Sequence, residues 1–176
     1  TVPAGSTFDY GGSQWQLAGA VAEQVSNSTW RQVFDAYIAE PCDLEVFQFG
    51  NMWSNLAAWT GSPDSLQGLD NPNIEGGAIS SLQDYAKLLL MHLNGGRCGD
   101  NRVMSEDSVA FMQVDRGGAF GVPYGMGWWI VAPEAAGETP TVFYDPGAFG
   151  AVSWIDIERK IGGYVAIDDY PRRDSG

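Results

Sequence analysis

From Trp15 onward the apolar residues Trp15, Ala18, Val21, Ala22 and Val25 recur at three- and four-residue spacing, which places them on one face of an α-helix. This predicts a helix from Ser13 to about Ser26. Trp30, Val33, Phe34, Tyr37 and Ile38 repeat the spacing behind Ser28, a residue type that caps helices, and run into Pro41, which cannot continue one. Two helices over about 13–25 and 29–39 then form a helical hairpin. Between Leu44 and Gly77 no period lasts, and Gly61, Pro63, Asp64, Gly68, Asn71, Pro72 and Asn73 supply turn chemistry. A long irregular excursion is expected there, with Trp53 and Trp59 as core residues in preference to pocket walls.

Regularity returns at Ser81, with Asp84 three residues on and Leu82, Tyr85, Leu88, Leu89 and His92 behind them. Ser81 caps this third helix, over about 81–94, and Gly95 and Gly96 end it. A shorter helix follows Ser105, with Val109 and Met112 on one face. After Gly117 and Gly118 the chain turns to aromatic and β-branched runs at 127–132, 141–144, 150–157 and 162–168, which read as strands. The polar turn Glu158-Arg159-Lys160 joins the last two as an antiparallel hairpin. Helices over about 13–113 followed by a strand meander over about 125–170 define a single α+β domain, its helices packed on an antiparallel sheet.

With 176 residues, 44% of them apolar, the chain is long enough for one sizeable core. Its 22 acidic against 9 basic side chains leave a net charge of -13, which repels nucleic acid and anionic membrane surfaces. Neither is an expected partner. No stretch approaches the apolar length of a membrane span, and Thr1 to Asp9 has neither the basic start nor the apolar core of a signal peptide. The two cysteines, Cys42 and Cys98, lack metal-ligand spacing. They either pair, as an exported protein would allow, or stay as separate buried thiols.

Metal and phosphate chemistry find no support, since there is one histidine, no GxxxxGK[ST] loop and no carboxylate cluster at ligand spacing. No metal or cofactor is expected. His92 sits among leucines and reads as structural, and no GxSxG elbow accompanies it. Thr1 is a poor N-terminal nucleophile, because Val2-Pro3-Ala4-Gly5 is a turn-prone lead-in rather than a strand.

Four segments carry a resemblance. Pro3-Ala4-Gly5-Ser6-Thr7-Phe8-Asp9-Tyr10-Gly11-Gly12 leads into the first helix; Glu75-Gly76-Gly77-Ala78-Ile79-Ser80-Ser81-Leu82-Gln83-Asp84 leads into the third. Tyr124-Gly125-Met126-Gly127-Trp128-Trp129 precedes the sheet, and Asp145-Pro146-Gly147-Ala148-Phe149-Gly150 falls within it. In this order they resemble the later part of the penicillin-recognising serine hydrolases, the superfamily of class C β-lactamases, D-alanyl-D-alanine carboxypeptidases and esterases. The resemblance implies a β-lactamase/transpeptidase-like fold, incomplete at its N-terminal side. Tyr10 then matches the catalytic tyrosine of a Tyr-x-Asn motif, a phenol that relays a proton between serine and leaving group. Gly12 replaces the motif's asparagine. Asp145, Gly147 and Ala148 match the substrate-binding strand, whose backbone N–H helps to build an oxyanion hole. Asp145 stands where the family has lysine or histidine, which disfavours a substrate carboxylate.

No serine here has a lysine three residues on, and Lys87 and Lys160 are the only lysines. The family's Ser-x-x-Lys nucleophile and base are therefore expected on a segment outside this chain. Completed by it, the protein would hydrolyse a small ester or amide through an acyl-enzyme; the alternative is a non-catalytic binding or interaction module of the same fold. The expected partner is an N-terminal segment of the same precursor or another copy of the chain, with Tyr10 and Gly147 converging beside an open groove. A periplasmic or extracellular setting is expected.

Overall fold

A computed structural model describes residues 2–50, 72–148 and 150–167, so Trp53 and Trp59 lie outside the described residues. The chain forms two compact units, one of residues 9–88 and 98–103, the other of residues 2–8, 89–97 and 104 onward. The family's mixed architecture, helices with an antiparallel sheet, is present.

The first unit opens with α1 (Ser13–Ser26), which ends at Asn27 in the left-handed region at φ 52°. The predicted apolar stripe is only partly covered. Trp15 and Ala22 are half-buried, Ala18, Val21 and Val25 are exposed, and the buried position is Gly19. The face that docks is instead Gly12, Gln16 and Gly19, also spaced by four and three. The Gln16 amide donates to Pro72 O at 2.8 Å and accepts from Ile74 N at 3.1 Å. Ile74 fills a notch at Gly19, where a Cβ would stand 1.9 Å from its Cδ1.

The second helix, α2 (Trp30–Phe34), is capped by Thr29 rather than Ser28. Thr29 accepts from Gln32 N at 3.3 Å and returns its own N–H to Gln32 Oε1 at 3.0 Å, a reciprocal capping box. Ser28 instead donates its hydroxyl to Ser26 O at 3.3 Å. From Asp35 to Ala39 the helix widens to π geometry. The expected irregular excursion contains order at both ends, for β1 (Phe47–Phe49) pairs antiparallel with β2 (Ala78–Ser80). Phe47 and Phe49 alternate about Gln48, and their rings join Phe34 at 4.8 and 5.0 Å. That aromatic cluster, with Trp30 5.6 Å from Phe49, forms the core between α2 and β1.

Asp84 fastens β1 to α3 (Leu82–Leu93). Only 2% exposed, its carboxylate accepts the N–H of Val46 at 2.5 Å and of Glu45 at 3.1 Å and lies 3.5 Å from Lys87 Nζ. Burial alone would push this carboxyl up, but the hydrogen bonds from Val46, Glu45, Lys87 and Ser81 outweigh it and hold the group below its ordinary range. Beyond α3 a short hairpin pairs β3 (Arg97–Cys98) with β4 (Asn101–Arg102). Cys42 and Cys98 form a disulfide across 56 residues of sequence. Closing a loop of that length stabilises the fold by about 4 kcal/mol on a chain-entropy basis.

In the second unit, α4 (Glu106–Met112) is capped by Ser105, which accepts Ser108 N at 3.0 Å. A four-stranded antiparallel sheet follows, a meander of β5 (Trp129–Ile130), β6 (Val142–Pro146), β7 (Ala151–Asp156) and β8 (Ile161–Ala166). The first strand is shorter than the expected run of 127–132, and its start falls after Gly127, which turns the chain at φ 80°. Ile130, Phe143 and Ile155 stand side by side in register and are at most 4% exposed. The end of α3 packs onto this sheet: Leu93 approaches the Cα side of Gly162, and Lys160 donates to Leu93 O at 3.0 Å. His92 meets Trp128 edge-on at 5.3 Å, its Nδ1 buried and unpartnered among the described residues.

Candidate active site

Tyr10 lies on the extended lead-in to α1, in the first unit, and is 51% exposed. Two residues on, Gly12 occupies the N-cap position without a side chain to cap the helix. The space above that glycine is filled from elsewhere in the unit. A Cβ on Gly12 would stand 1.5 Å from Glu75 Oε2 and 1.7 Å from its Cδ. The Glu75 carboxylate thus occupies the volume that an asparagine at position 12 would enter.

Glu75 itself is exposed, on a turn whose backbone is tied down. Asn73 donates to Gly50 O at 2.9 Å and accepts Gly77 N at 2.9 Å, while its side-chain oxygen takes Gly76 N at 3.2 Å. Gln16 secures the residues on either side of Asn73, as described for α1. Sequence patterning gave no reason to single out Glu75, since an acidic residue before two glycines is ordinary turn composition.

Asp145, Gly147 and Ala148 are brought together in the second unit, at the end of β6 and in the turn that follows. Asp145 pairs in register with Ser153, and Ser153 with Tyr164, making one polar row across β6, β7 and β8. It shares a face with Phe143, two residues earlier, as strand alternation requires. Burial pushes the Asp145 carboxyl above its ordinary range, since charge is disfavoured away from water.

The turn from 147 to 150 determines which backbone donors remain available. Gly147 N–H donates to Ala151 O at 2.6 Å, so the ladder consumes it. Gly150 N–H closes the turn on Gly147 O at 3.0 Å, with Gly150 at φ 86°. Ala148 is exposed, and its N–H has no acceptor among the described residues. Of the donors suggested by the sequence, Ala148 rather than Gly147 is left for a ligand. Tyr10 and Gly12 belong to one unit, and Asp145, Gly147 and Ala148 to the other.

Among solved structures the chain is similar to a Bacteroides dorei protein classed with the beta-lactamases, at 27% identity and a TM-score of 0.72, over 92% of this chain and 50% of that one. It is similar in fold to an octameric penicillin-binding protein homologue from Pyrococcus abyssi, at 21% identity and a TM-score of 0.69, covering 96% of this chain and 40% of that one. EstCE1, a hydrolase with promiscuous acyltransferase activity, matches at 19% identity and a TM-score of 0.70, over 95% of this chain and 52% of its own. The chain therefore spans about half the length of these structures or less. No curated protein matches it. The beta-lactamase family profile matches residues 1–174, and the chain belongs to that family.

Proposed function

We propose that these residues form the tyrosine- and oxyanion-bearing part of a serine hydrolase that cleaves a small ester or amide through an acyl-enzyme. The observation that carries this reading is the turn after β6, where Gly147 N–H is spent in the ladder and Ala148 N–H is left without an acceptor among the described residues. A backbone donor at a strand edge suits the negative oxygen of a tetrahedral intermediate. The nucleophile comes from a Ser-x-x-Lys segment outside residues 1–176. Its hydroxyl oxygen bonds to the carbonyl carbon while its proton passes, beside the lysine, to the Tyr10 phenolate oxygen. The carbonyl's bond to oxygen or nitrogen then breaks, and Tyr10 returns the proton to the leaving alcohol or amine. Water repeats the sequence on the acyl-serine, releasing the acid and restoring the serine.

Asp145 narrows the substrate. Asp145 stands where the family's motif has a cation and supplies no positive charge to hold a substrate carboxylate, which favours uncharged acyl groups over β-lactam or D-alanyl-D-alanine types. The Cys42–Cys98 disulfide supports a periplasmic or extracellular setting. No described helix is long and apolar enough to cross a membrane. Val165 on β8 and Ile167 just beyond it, 54% and 59% exposed, support docking of the remaining segment or a second copy along the last strand of the sheet.

The test is turnover of p-nitrophenyl acetate and nitrocefin by residues 1–176 alone and by the protein carrying a Ser-x-x-Lys segment. Turnover of the ester is expected only in the second case, with the serine labelled by a fluorophosphonate. Turnover by residues 1–176 alone, or failure of the longer protein to label, overturns the reading.

A further inference from the structure

We infer that the outer face of the β5–β8 sheet seats an amphipathic helix from a part of this protein outside residues 1–176; this rests on the reading above only in taking such a part to exist. The basis is that both faces of the sheet are apolar and only one is sealed. Strand register puts Ile130, Phe143, Ile155 and Gly162 side by side on the first face. There the three large side chains are at most 4% exposed, and Leu93 of α3 stands 3.6 Å from a Cβ on Gly162. The second face carries Val142, Tyr144, Val152, Trp154, Ile161 and Val165. Among the described residues of the sheet, the large apolar side chains left exposed, Ile161 at 48% and Val165 at 54%, are both on this second face.

An antiparallel sheet that meets water on one side alternates apolar with polar residues, and β6, β7 and β8 do not. One charged side chain, Asp156, falls on their outer face, and the neighbouring turn neutralises it. Its carboxylate accepts Arg159 Nη1 at 2.7 Å and the N–H groups of Glu158 and Arg159 at 3.1 and 2.9 Å. Beside it the Trp154 indole lies across β8, where a Cβ on Gly163 would meet its Nε1 at 2.6 Å. Such a face suits an apolar surface that brings no counter-charge. Dimensions choose the occupant: four strands about 4.8 Å apart are about 14 Å across, room for one helix of about 10–12 Å diameter. The six-residue strands β7 and β8 run about 20 Å, the length of a helix of about 13 residues with its apolar positions three and four apart. A second copy is the weaker occupant, because two chains of net charge -13 repel each other. The chain spans about half the length of the similar structures or less, and the remainder of such a fold is the source of the helix.

Thiol labelling tests this without turnover. Both native cysteines are in the disulfide, so Val165→Cys on β8, Val152→Cys on β7 and Ala136→Cys in the exposed segment before β6 each supply one free thiol. The readout is the maleimide labelling rate at 165 and at 152, each divided by the rate at 136. Both ratios are expected to be at least about tenfold lower in the protein carrying the Ser-x-x-Lys segment than in residues 1–176. Equal ratios in the two proteins overturn the proposal. A drop at 165 alone marks a strand added to the β8 edge and overturns it as well, as does protection within residues 1–176 that grows with protein concentration, the sign of a second copy. Should a cysteine variant not fold, hydroxyl-radical footprinting of the unsubstituted proteins reads the same face: oxidation of Trp154 and Ile161 should fall in the longer protein, and undiminished oxidation overturns the proposal. Turnover is scored apart, since a longer protein that is protected but inactive loses the hydrolase reading alone, and one that is active with this face open loses the docked helix alone.

Discussion

Gly77 lies so close to Gly50 that a Cβ on Gly77 would stand 2.2 Å from Gly50 O, while Gly50 N–H donates to Gly77 O at 2.8 Å. Asn73 O approaches the same position at 2.6 Å. Both obstacles are backbone and neither can swing aside. Gly77→Ala is expected to cost about 2 kcal/mol or more and to loosen the turn that carries Glu75. Urea unfolding measures the cost, and a midpoint equal to that of the parent would show that the turn adjusts freely.

Asp84 to Val46 is the polar tie between α3 and the start of β1. Asp84→Asn keeps the size but loses the charge that the Val46 and Glu45 N–H groups and Lys87 favour. A loss of about 2–4 kcal/mol at pH 7 is expected. Because the folded carboxyl is held below its ordinary range, its contribution is fully present above the unfolded value near 3.8 and fades as pH falls through the folded one. The gap between parent and variant should therefore narrow below pH 4. A constant gap down to pH 2 would contradict an ionised Asp84.

His92 acts over a different interval. Burial lowers its pKa from 6.5 to about 4, so the folded state resists protonation that the unfolded state accepts. The His92 contribution should fall as pH drops from about 6.5 toward 4, by about 3 kcal/mol at most, and change no further below that. His92→Leu should flatten this interval while leaving the loss below pH 4 that belongs to Asp84. Parallel pH profiles for parent and variant would mean that His92 takes up its proton equally in the folded and unfolded chain, against its burial.

Much of this architecture is legible in the sequence where a period runs long enough to have a single explanation. The spacing from Trp15 to Val25 and from Leu82 to His92 gave α1 and α3, and the polar turn at Glu158 gave the β7–β8 hairpin. Periodicity failed where the structure uses little apolar surface. The docking face of α1 is two glycines and a glutamine, which carry no hydrophobic signal. β1 is three residues long and finds its partner only at Ala78, so local pattern alone could not pair them. The same limit governs the candidate site. Motif order singled out Tyr10, Gly147 and Ala148 as candidates, but Glu75 reaches Gly12 only because a turn far along the chain folds back on α1.

Ala148 offers the sharpest test of the proposed oxyanion donor, because its N–H makes no hydrogen bond among the described residues. It follows Gly147 in a turn closed by the Gly150 N–H on Gly147 O at 3.0 Å. That is the second position of a β-turn, where proline's fixed φ is favoured and its missing N–H breaks no described hydrogen bond. Ala148→Pro is accordingly expected to keep a thermal midpoint within about 2 °C of the parent. Turnover of p-nitrophenyl acetate by the protein carrying the Ser-x-x-Lys segment should fall by about 100- to 1000-fold, the loss that follows removal of one oxyanion donor. Ala148→Gly keeps the N–H and should retain most of that activity. If the proline variant folds normally and turns over the ester at the parental rate, the oxyanion is held by some other group, and the role assigned to Ala148 is wrong.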